Sequence, residues 1–342
     1  MKKVLVSFSL LFLLALSVFA QGRRGPQIDT VRLWPDGAPN AFEIPGPESG
    51  FLVFGAKNYE LAMMEVYPAR EPNGLCVIMC PGGAYVMESQ THEGRDLHDW
   101  FNARGITYCM LQYRLPVGHH EVPLSDLQQA IRIMRSRTDL GITKVGVMGN
   151  SAGGHLAAMI SIGADQPAIE GNVGGNLEYS SRVKAAALFY APIDLWDSTL
   201  SAAAKVDGPA QDLTGTEVED LSNDNANSLM ALACGFVGPG RNIKSLGKLI
   251  ESGDTSDPDW KFAQLLKDLS PISYCSEDNP PVCLFHGAHD PLVDPAQTVK
   301  MYQALCKAGA DATMICYSYG GHGPSLGEQV DRFAYEFLKD RI

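Results

Sequence analysis

Ser151 stands in Gly149-Asn150-Ser151-Ala152-Gly153, directly after the run Lys144-Val145-Gly146-Val147-Met148. A strand followed by G-x-S-x-G and a helix is the setting in which a serine is held on a sharp turn, its hydroxyl pushed into solvent as a nucleophile. The glycines answer a steric need, because strand and helix backbones pass close together at such a turn. Downstream, Leu156, Ala157, Ala158, Ile160 and Ile162 supply helix formers and an apolar face. Ser151 is therefore expected at a helix N-terminus, where backbone N–H groups favour developing negative charge. So short a motif also arises by chance, and its partners must be sought elsewhere.

A serine hydroxyl needs a base at neutral pH, and the base needs an orienting carboxylate. Of the eight histidines, His322 lies in Tyr319-Gly320-Gly321-His322-Gly323, a flexible turn just after the last strand candidate. From there its ring could reach across the sheet edge to Ser151. His119 and His120 fall in a loop, and His92 and His98 on or near an early helix. His155 is one turn along the serine's own helix and reads as packed or bound to backbone. His286 ends a strand, with His289 near it. For the carboxylate, Asp290 lies just past the strand end in Leu284-Phe285-His286-Gly287-Ala288-His289-Asp290. Asp294 precedes Pro295 and a helix, which marks a helix N-cap. Donors for the oxyanion are expected from Pro81-Gly82-Gly83-Ala84-Tyr85, through the N–H of Gly83 or Ala84 together with that of Ala152. Tyr85 could shape an acyl pocket, with plain packing as the alternative. Activity should rise with pH as the imidazole of His322 loses its proton.

Alternating strands and helices must position these groups. Short strands are expected at Val31–Trp34 and Tyr59–Tyr67. The alternation then runs through strand Leu75–Cys80, helix Gly94–Ala103, strand Ile106–Tyr113, helix Ser125–Arg137, strand Lys144–Met148 and the serine's helix. It resumes with strands or helices at Val183–Tyr190, Pro281–His286, Pro295–Ala308, Ala312–Tyr319 and Gln329–Lys339. This pattern predicts an α/β fold, a mostly parallel sheet flanked by helices on both faces. Residues 196–270 break the rhythm, being acidic, Gly-rich and weakly periodic, with helices expected near Asn225–Ala233 and Trp260–Leu269. We read them as an insertion at the C-terminal edge of the sheet. A lid, a substrate wall or the interface of a homodimer all remain open for it. Trp196 and Trp260 could stack on sugar rings, with burial as the alternative.

Lys2 and Lys3, the apolar run Val4–Val18 and Phe19-Ala20 read as an export signal cleaved after residue 20, a retained anchor being the alternative. Residues 21–50 are rich in Pro and Gly and read as an extended arm, leaving 51–342 as one catalytic domain. Losing Lys2 and Lys3 would move the net charge from −12 to −14, a poor match to nucleic acid or to an anionic membrane surface. Cys76, Cys80, Cys109, Cys283 and Cys316 fall in runs assigned to buried strands, where cysteine acts as a small hydrophobe. A bridge between Cys234 and Cys275 remains open. No cysteine–histidine spacing suits a metal.

Several segments together carry a family resemblance: Pro81-Gly82-Gly83-Ala84-Tyr85, Gln112-Tyr113-Arg114-Leu115, Gly149-Asn150-Ser151-Ala152-Gly153-Gly154-His155, His286-Gly287 with Asp290, and Gly321-His322-Gly323. From Leu75 onward the chain resembles α/β-hydrolase esterases of the acetyl esterase/hormone-sensitive-lipase type, and within them the secreted bacterial group associated with xylan degradation, acetylxylan and feruloyl esterases. The order Ser, Asp, His is that of α/β-hydrolases. The resemblance implies an exported serine carboxylesterase acting on acetyl esters of xylan or its oligosaccharides, without metal or organic cofactor. Feruloyl esters are the alternative, and a peptidase or amidase on the same fold a further one. Peptidases of the prolyl oligopeptidase type normally carry a propeller ahead of the hydrolase, which the 21–50 arm is too short to supply. A non-catalytic carbohydrate-binding protein would not need Ser151, Asp290 and His322 together. Two positions depart from the family's H-G-G-G oxyanion loop: Pro81 replaces the His and Ala84 the last Gly.

Overall fold

A computed structural model of the chain describes residues 28–41, 62–116, 118–164, 166, 169, 171, 174–210, 212, 234–323 and 328–342. Among the described residues eight strands form one sheet: β1 (Asp29–Arg32), β2 (Met63–Tyr67), β3 (Leu75–Cys80), β4 (Thr107–Gln112), β5 (Lys144–Asn150), β6 (Ala186–Phe189), β7 (Val282–Gly287) and β8 (Ala312–Tyr317). Their order is β1-β2-β4-β3-β5-β6-β7-β8. β2 runs antiparallel to both of its neighbours, and the other pairings are parallel. The α/β expectation holds, with a mixed first edge.

The central strands are apolar at nearly every position because helices cover both faces. Along β3, Cys76, Ile78 and Cys80 enter one core with β5 Val147, and Val77 and Met79 enter the other with Tyr108 and Phe285. The first core is closed by α2 (Glu121–Ser136), α3 (Ser151–Ile162), α5 (Ile243–Ser252), α6 (Trp260–Asp268) and α7 (Pro295–Ala308). The second is closed by α1 (His98–Asn102) and α8 (Glu328–Arg341), through Phe101, Tyr335 and Leu338. Each fully buried Leu, Ile or Phe in these layers stabilises the fold by about 1.5–3 kcal/mol.

Local differences from the sequence expectations have physical causes. β1 lies two residues earlier than expected, because Trp34 leaves the sheet to donate its indole N–H to Asp126 Oδ1 at 2.7 Å. That carboxylate also receives the buried guanidinium of Arg114 at 2.7 Å, tying the first edge to α2. α2 starts at Glu121 rather than Ser125, since Pro123 sits in its first turn, where a missing N–H is harmless. Cys316 is exposed, contrary to expectation: β8 is an edge strand and its positions are only partly covered. All eight cysteines are free, so the Cys234–Cys275 bridge does not form; Cys275 faces Met301 Sδ at 3.8 Å instead.

Inside 196–270, α6 matches the expected helix. Among the described residues of this segment two further helices occur that the sequence does not announce. α4 (Leu195–Lys205) is capped by Asp194, which accepts from Asp197 N–H at 3.0 Å. α5 is closed at its start by a capping box between Asn242 and Ser245. The expected helix at 225–233 and the export signal lie outside the described residues. Among the described residues no helix is long and apolar enough to cross a membrane.

Candidate active site

The strand β5 delivers Ser151 on a turn whose backbone is left-handed at the serine itself, φ +50°. A Cβ on Gly153 would stand 2.1 Å from Cys80 O, and one on Gly149 2.3 Å from Gly153 O, so only glycine lets β3, β5 and α3 approach this closely. Asn150 makes no side-chain cap to α3, leaving the first-turn amides free of that bond.

Three C-terminal strand ends converge on the serine. His322, in the turn after β8, places Nε2 at 2.9 Å from Ser151 Oγ and Nδ1 at 2.8 Å from Asp290 Oδ2. The serine O–H donates to Nε2, and Nδ1–H donates to the carboxylate. The side chain of Asp290, after β7, is fully buried. Its other oxygen accepts the backbone N–H of Leu292 at 2.8 Å and of Val293 at 2.9 Å. Burial works against its ionised form. Hydrogen bonds from His286 and His322, with the Val293 amide, outweigh that cost and hold the carboxyl well below the usual carboxylate range.

His286, which the sequence reading left as a strand end, is a second partner of that carboxylate. Its Nε2 lies 3.0 Å from both Asp290 Oδ2 and Val293 O. A carbonyl can only accept, so Nε2 carries the proton. Nδ1 then accepts from the Thr298 hydroxyl at 2.6 Å. The visible signal was the spacing of four residues from His286 to Asp290 across a strand end. Asp294 takes the capping role expected of it, accepting from Ala296 N–H at 2.9 Å.

The loop after β3 turns through three successive positive φ values, Gly83 +136°, Ala84 +55° and Tyr85 +62°. The bonds that close it use the carbonyls of Gly82 and Gly83, accepting from Ser89, Val86 and Met87, and leave the Gly83 and Ala84 N–H groups out. Tyr113 steadies it by donating to Pro81 O at 2.8 Å, which explains the Gln112-Tyr113-Arg114-Leu115 segment structurally. Gly83, Ala84, Ser151, Ala152 and His322 all line one cavity of about 300 Å³. Its lining combines apolar side chains, among them Met87, Pro192, Leu195, Leu292 and Val293, with polar ones, among them Asp197, Ser198, Ser201 and Lys205 on α4 and Gln297 and Lys300 on α7. Gln297 joins these two helices by accepting from Ile193 N–H at 2.8 Å and donating to Ser198 Oγ.

Three expected substrate contacts are not brought to this cavity. Tyr85 is buried, and its hydroxyl meets His155 Nδ1 at 2.8 Å, the ring serving to pack the loop. His155 also binds Leu269 O at 2.7 Å, and burial pushes its pKa down to about 4, so it is a neutral structural group. Trp196 and Trp260 meet edge to face at 6.1 Å and pack against the first core, locking α4 to α6. The cavity residues the sequence reading missed are Glu93, Gln297 and the α4 face. Among the described residues no cluster of His, Cys, Asp and Glu could hold a metal ion.

The BD-FAE family model matches residues 64–233, and that of the prolyl oligopeptidase family matches residues 249–342. An acetylxylan esterase of Xylanibacter ruminicola is 42% identical over 103 residues, 29% of this chain and 22% of that protein. The esterase LipQ of Mycobacterium tuberculosis is 26% identical over 238 residues, 68% of this chain and 46% of that protein. The chain thus spans less than half the length of either relative. The crystal structure of an acetyl ester-xyloside bifunctional hydrolase from Caldicellulosiruptor lactoaceticus superposes with a TM-score of 0.61 at 22% identity, covering 92% of this chain and 96% of that one. With the strand–serine–helix turn on a mostly parallel sheet flanked by helices, and with this structural likeness, the chain has the α/β-hydrolase fold.

Proposed function

We propose that the chain is a serine carboxylesterase that removes acetyl groups from xylan or its oligosaccharides. The observation that carries this reading is the relay from Ser151 Oγ through His322 to Asp290, at 2.9 and 2.8 Å, opening on a cavity that Gly83, Ala84 and Ala152 also line. Ser151 Oγ attacks the ester carbonyl carbon while His322 Nε2 takes its proton. The tetrahedral oxyanion meets the N–H groups of Gly83 or Ala84 and Ala152. His322 returns the proton to the leaving sugar hydroxyl as the C–O bond breaks. Water, deprotonated by the same imidazole, then releases acetate from the acyl-enzyme. Asp290 holds the ring and offsets its positive charge. The named activities of the relatives support acetyl esters on xylan as the substrate class. Feruloyl esters are the nearest variant of that reading. The match of residues 249–342 to the prolyl oligopeptidase family supports a second one, amide or peptide hydrolysis at the same serine. In the same proposal residues 1–20 direct export, 21–50 form an arm, and 51–342 are the catalytic domain with its insertion at 196–270.

The test is acetate release from acetylated xylan beside hydrolysis of an aryl acetate, methyl ferulate and a peptide anilide, for wild type and Ser151→Ala. Acetate release that drops by at least about 10⁴-fold in the variant is the expected result. Anilide cleavage without ester cleavage would replace the reading by the peptidase one. Equal rates in variant and wild type would remove Ser151 as the nucleophile.

A further inference from the structure

Glu93 is a carboxylate that the triad does not use, 7% exposed and lining the cavity with Ser151 and His322. Burying a carboxylate is costly unless its oxygens are satisfied. Each oxygen of Glu93 has one donor. Oε2 accepts the Gly82 N–H at 2.8 Å, and Oε1 accepts the Tyr190 hydroxyl at 3.0 Å. Among the described residues no Lys or Arg pairs with it. Burial pushes its carboxyl above the ordinary value, and the bonds from Gly82 and Tyr190, with the field of His322, only partly offset that rise.

Both donors belong to the machinery. Gly82 is the residue immediately before the oxyanion amides of Gly83 and Ala84. A Cβ on Gly82 would stand 2.6 Å from Glu93 Oε2 and 3.1 Å from Ser151 Cβ, so carboxylate, loop and nucleophile meet within the width of one methyl group. Tyr190, directly after β6, is in a left-handed conformation, φ +37°, a strained state that needs support from its surroundings. Its ring lies 4.7 Å from that of His322.

We propose that Glu93 is a positioning residue that couples the two halves of the site, fixing the oxyanion loop through Gly82 N–H and the His322 ring through Tyr190. The inference rests on the reading of Ser151 and His322 as nucleophile and base. Its two arms predict different losses. Glu93→Ala releases both. Glu93→Gln keeps a carbonyl oxygen for Gly82 and an amide that Tyr190 can meet. Glu93→Asp keeps the charge but withdraws it from both donors by one methylene. Tyr190→Phe releases only the histidine arm.

The experiment measures aryl acetate hydrolysis, the affinity of an aryl trifluoromethyl ketone that forms a tetrahedral adduct on the serine, and the rate at which a fluorophosphonate labels Ser151. Glu93→Ala should lose about 10²-fold in kcat with KM within about threefold, as a displaced oxyanion donor does. The ketone affinity should fall by the same factor. Glu93→Gln should recover to within about tenfold of wild type, with Glu93→Asp and Tyr190→Phe between these limits. A folded Glu93→Ala with wild-type kcat overturns the proposal, as does a loss confined to KM. If Glu93→Ala does not fold, wild-type kcat in both Glu93→Asp and Tyr190→Phe overturns it equally. Labelling separates the two readings. Wild type left unlabelled at Ser151 overturns both the nucleophile assignment and this inference, whereas a labelled, active wild type matched by the Glu93 variants overturns this inference alone.

Discussion

Two parts of the cavity lining, one around the serine and one on two helices, are built in different ways. At the serine end the groups that matter are held by backbone: left-handed φ at Gly83, Ala84, Tyr85, Ser151 and Tyr190, and glycines that admit no Cβ. Each non-glycine residue held there costs about 1–3 kcal/mol, which the surrounding packing has to offset. At the helical end the lining is contributed by two ordinary helices, α4 and α7, presenting Asp197, Ser201, Lys205 and Lys300. Backbone geometry restricts residue type severely, whereas a helical face accepts many residues. On the proposed function, the serine end is then the part specific to the reaction, and the helical face the part free to set which alcohol the ester carries.

The sharpest way to break this contrast uses two aspartates four positions apart. Asp290→Asn removes the acceptor for His322 Nδ1–H and presents an amide to His286, so kcat/KM should fall by about a thousandfold or more. Asp294→Asn alters a cap that Asn fills about as well, so stability should stay within about 0.5 kcal/mol and kcat/KM within a few-fold. Equal losses in the two variants would mean that the relay through Asp290 carries no special weight. The same pair has a signature in acid. The folded pKa of Asp290 is depressed, so its ionised form contributes stability that is present above the ordinary carboxylate value of about 4 and is lost as pH falls through the folded value. Urea unfolding at pH 7, 4 and 3 should show the gap between wild type and Asp290→Asn narrowing below about pH 4. A gap that stays constant would place the carboxylate's hydrogen bonds outside the stability of the fold.

The same contrast decides what could be read from the chain. Ser151, His322 and Asp290 were legible because their neighbours are glycines or strand ends, whose spacing reports a backbone conformation. The sheet was legible because buried parallel strands such as Leu75–Cys80 are apolar throughout. α4 was not, because Leu195–Lys205 mixes Ser, Asp and Ala and its start depends on an Asp194 cap that a Pro-Ile-Asp loop disguises. Tyr85, Trp196 and Trp260 stay open between substrate contact and packing in the sequence for one reason: aromatic type alone does not tell a site ring from a core ring, and only packing does. Glu93 carries no local pattern, and His286 only its four-residue spacing to Asp290. Their partners come from β6, from the loop after β3 and from the loop after β7, and they become neighbours only when the sheet forms.

A smaller effect tests the helical end. Asp197 and Lys300 reach across from α4 to α7 and meet at 2.5 Å, each a little under half exposed. An exposed pair of this kind contributes about 1 kcal/mol or less, so Asp197→Asn and Lys300→Met should fold normally. Neither residue touches the relay, and kcat/KM on an aryl acetate should stay within about threefold of wild type. An acetylated xylo-oligosaccharide presents ring hydroxyls that can bond to both charges, and losing one such bond costs about 1.5–3 kcal/mol. Its kcat/KM should then fall by about tenfold or more, chiefly through KM. Equal losses on both substrates would make the pair a support for the serine end. No loss on either would move the sugar away from this wall, leaving the cavity's polar end to a different alcohol.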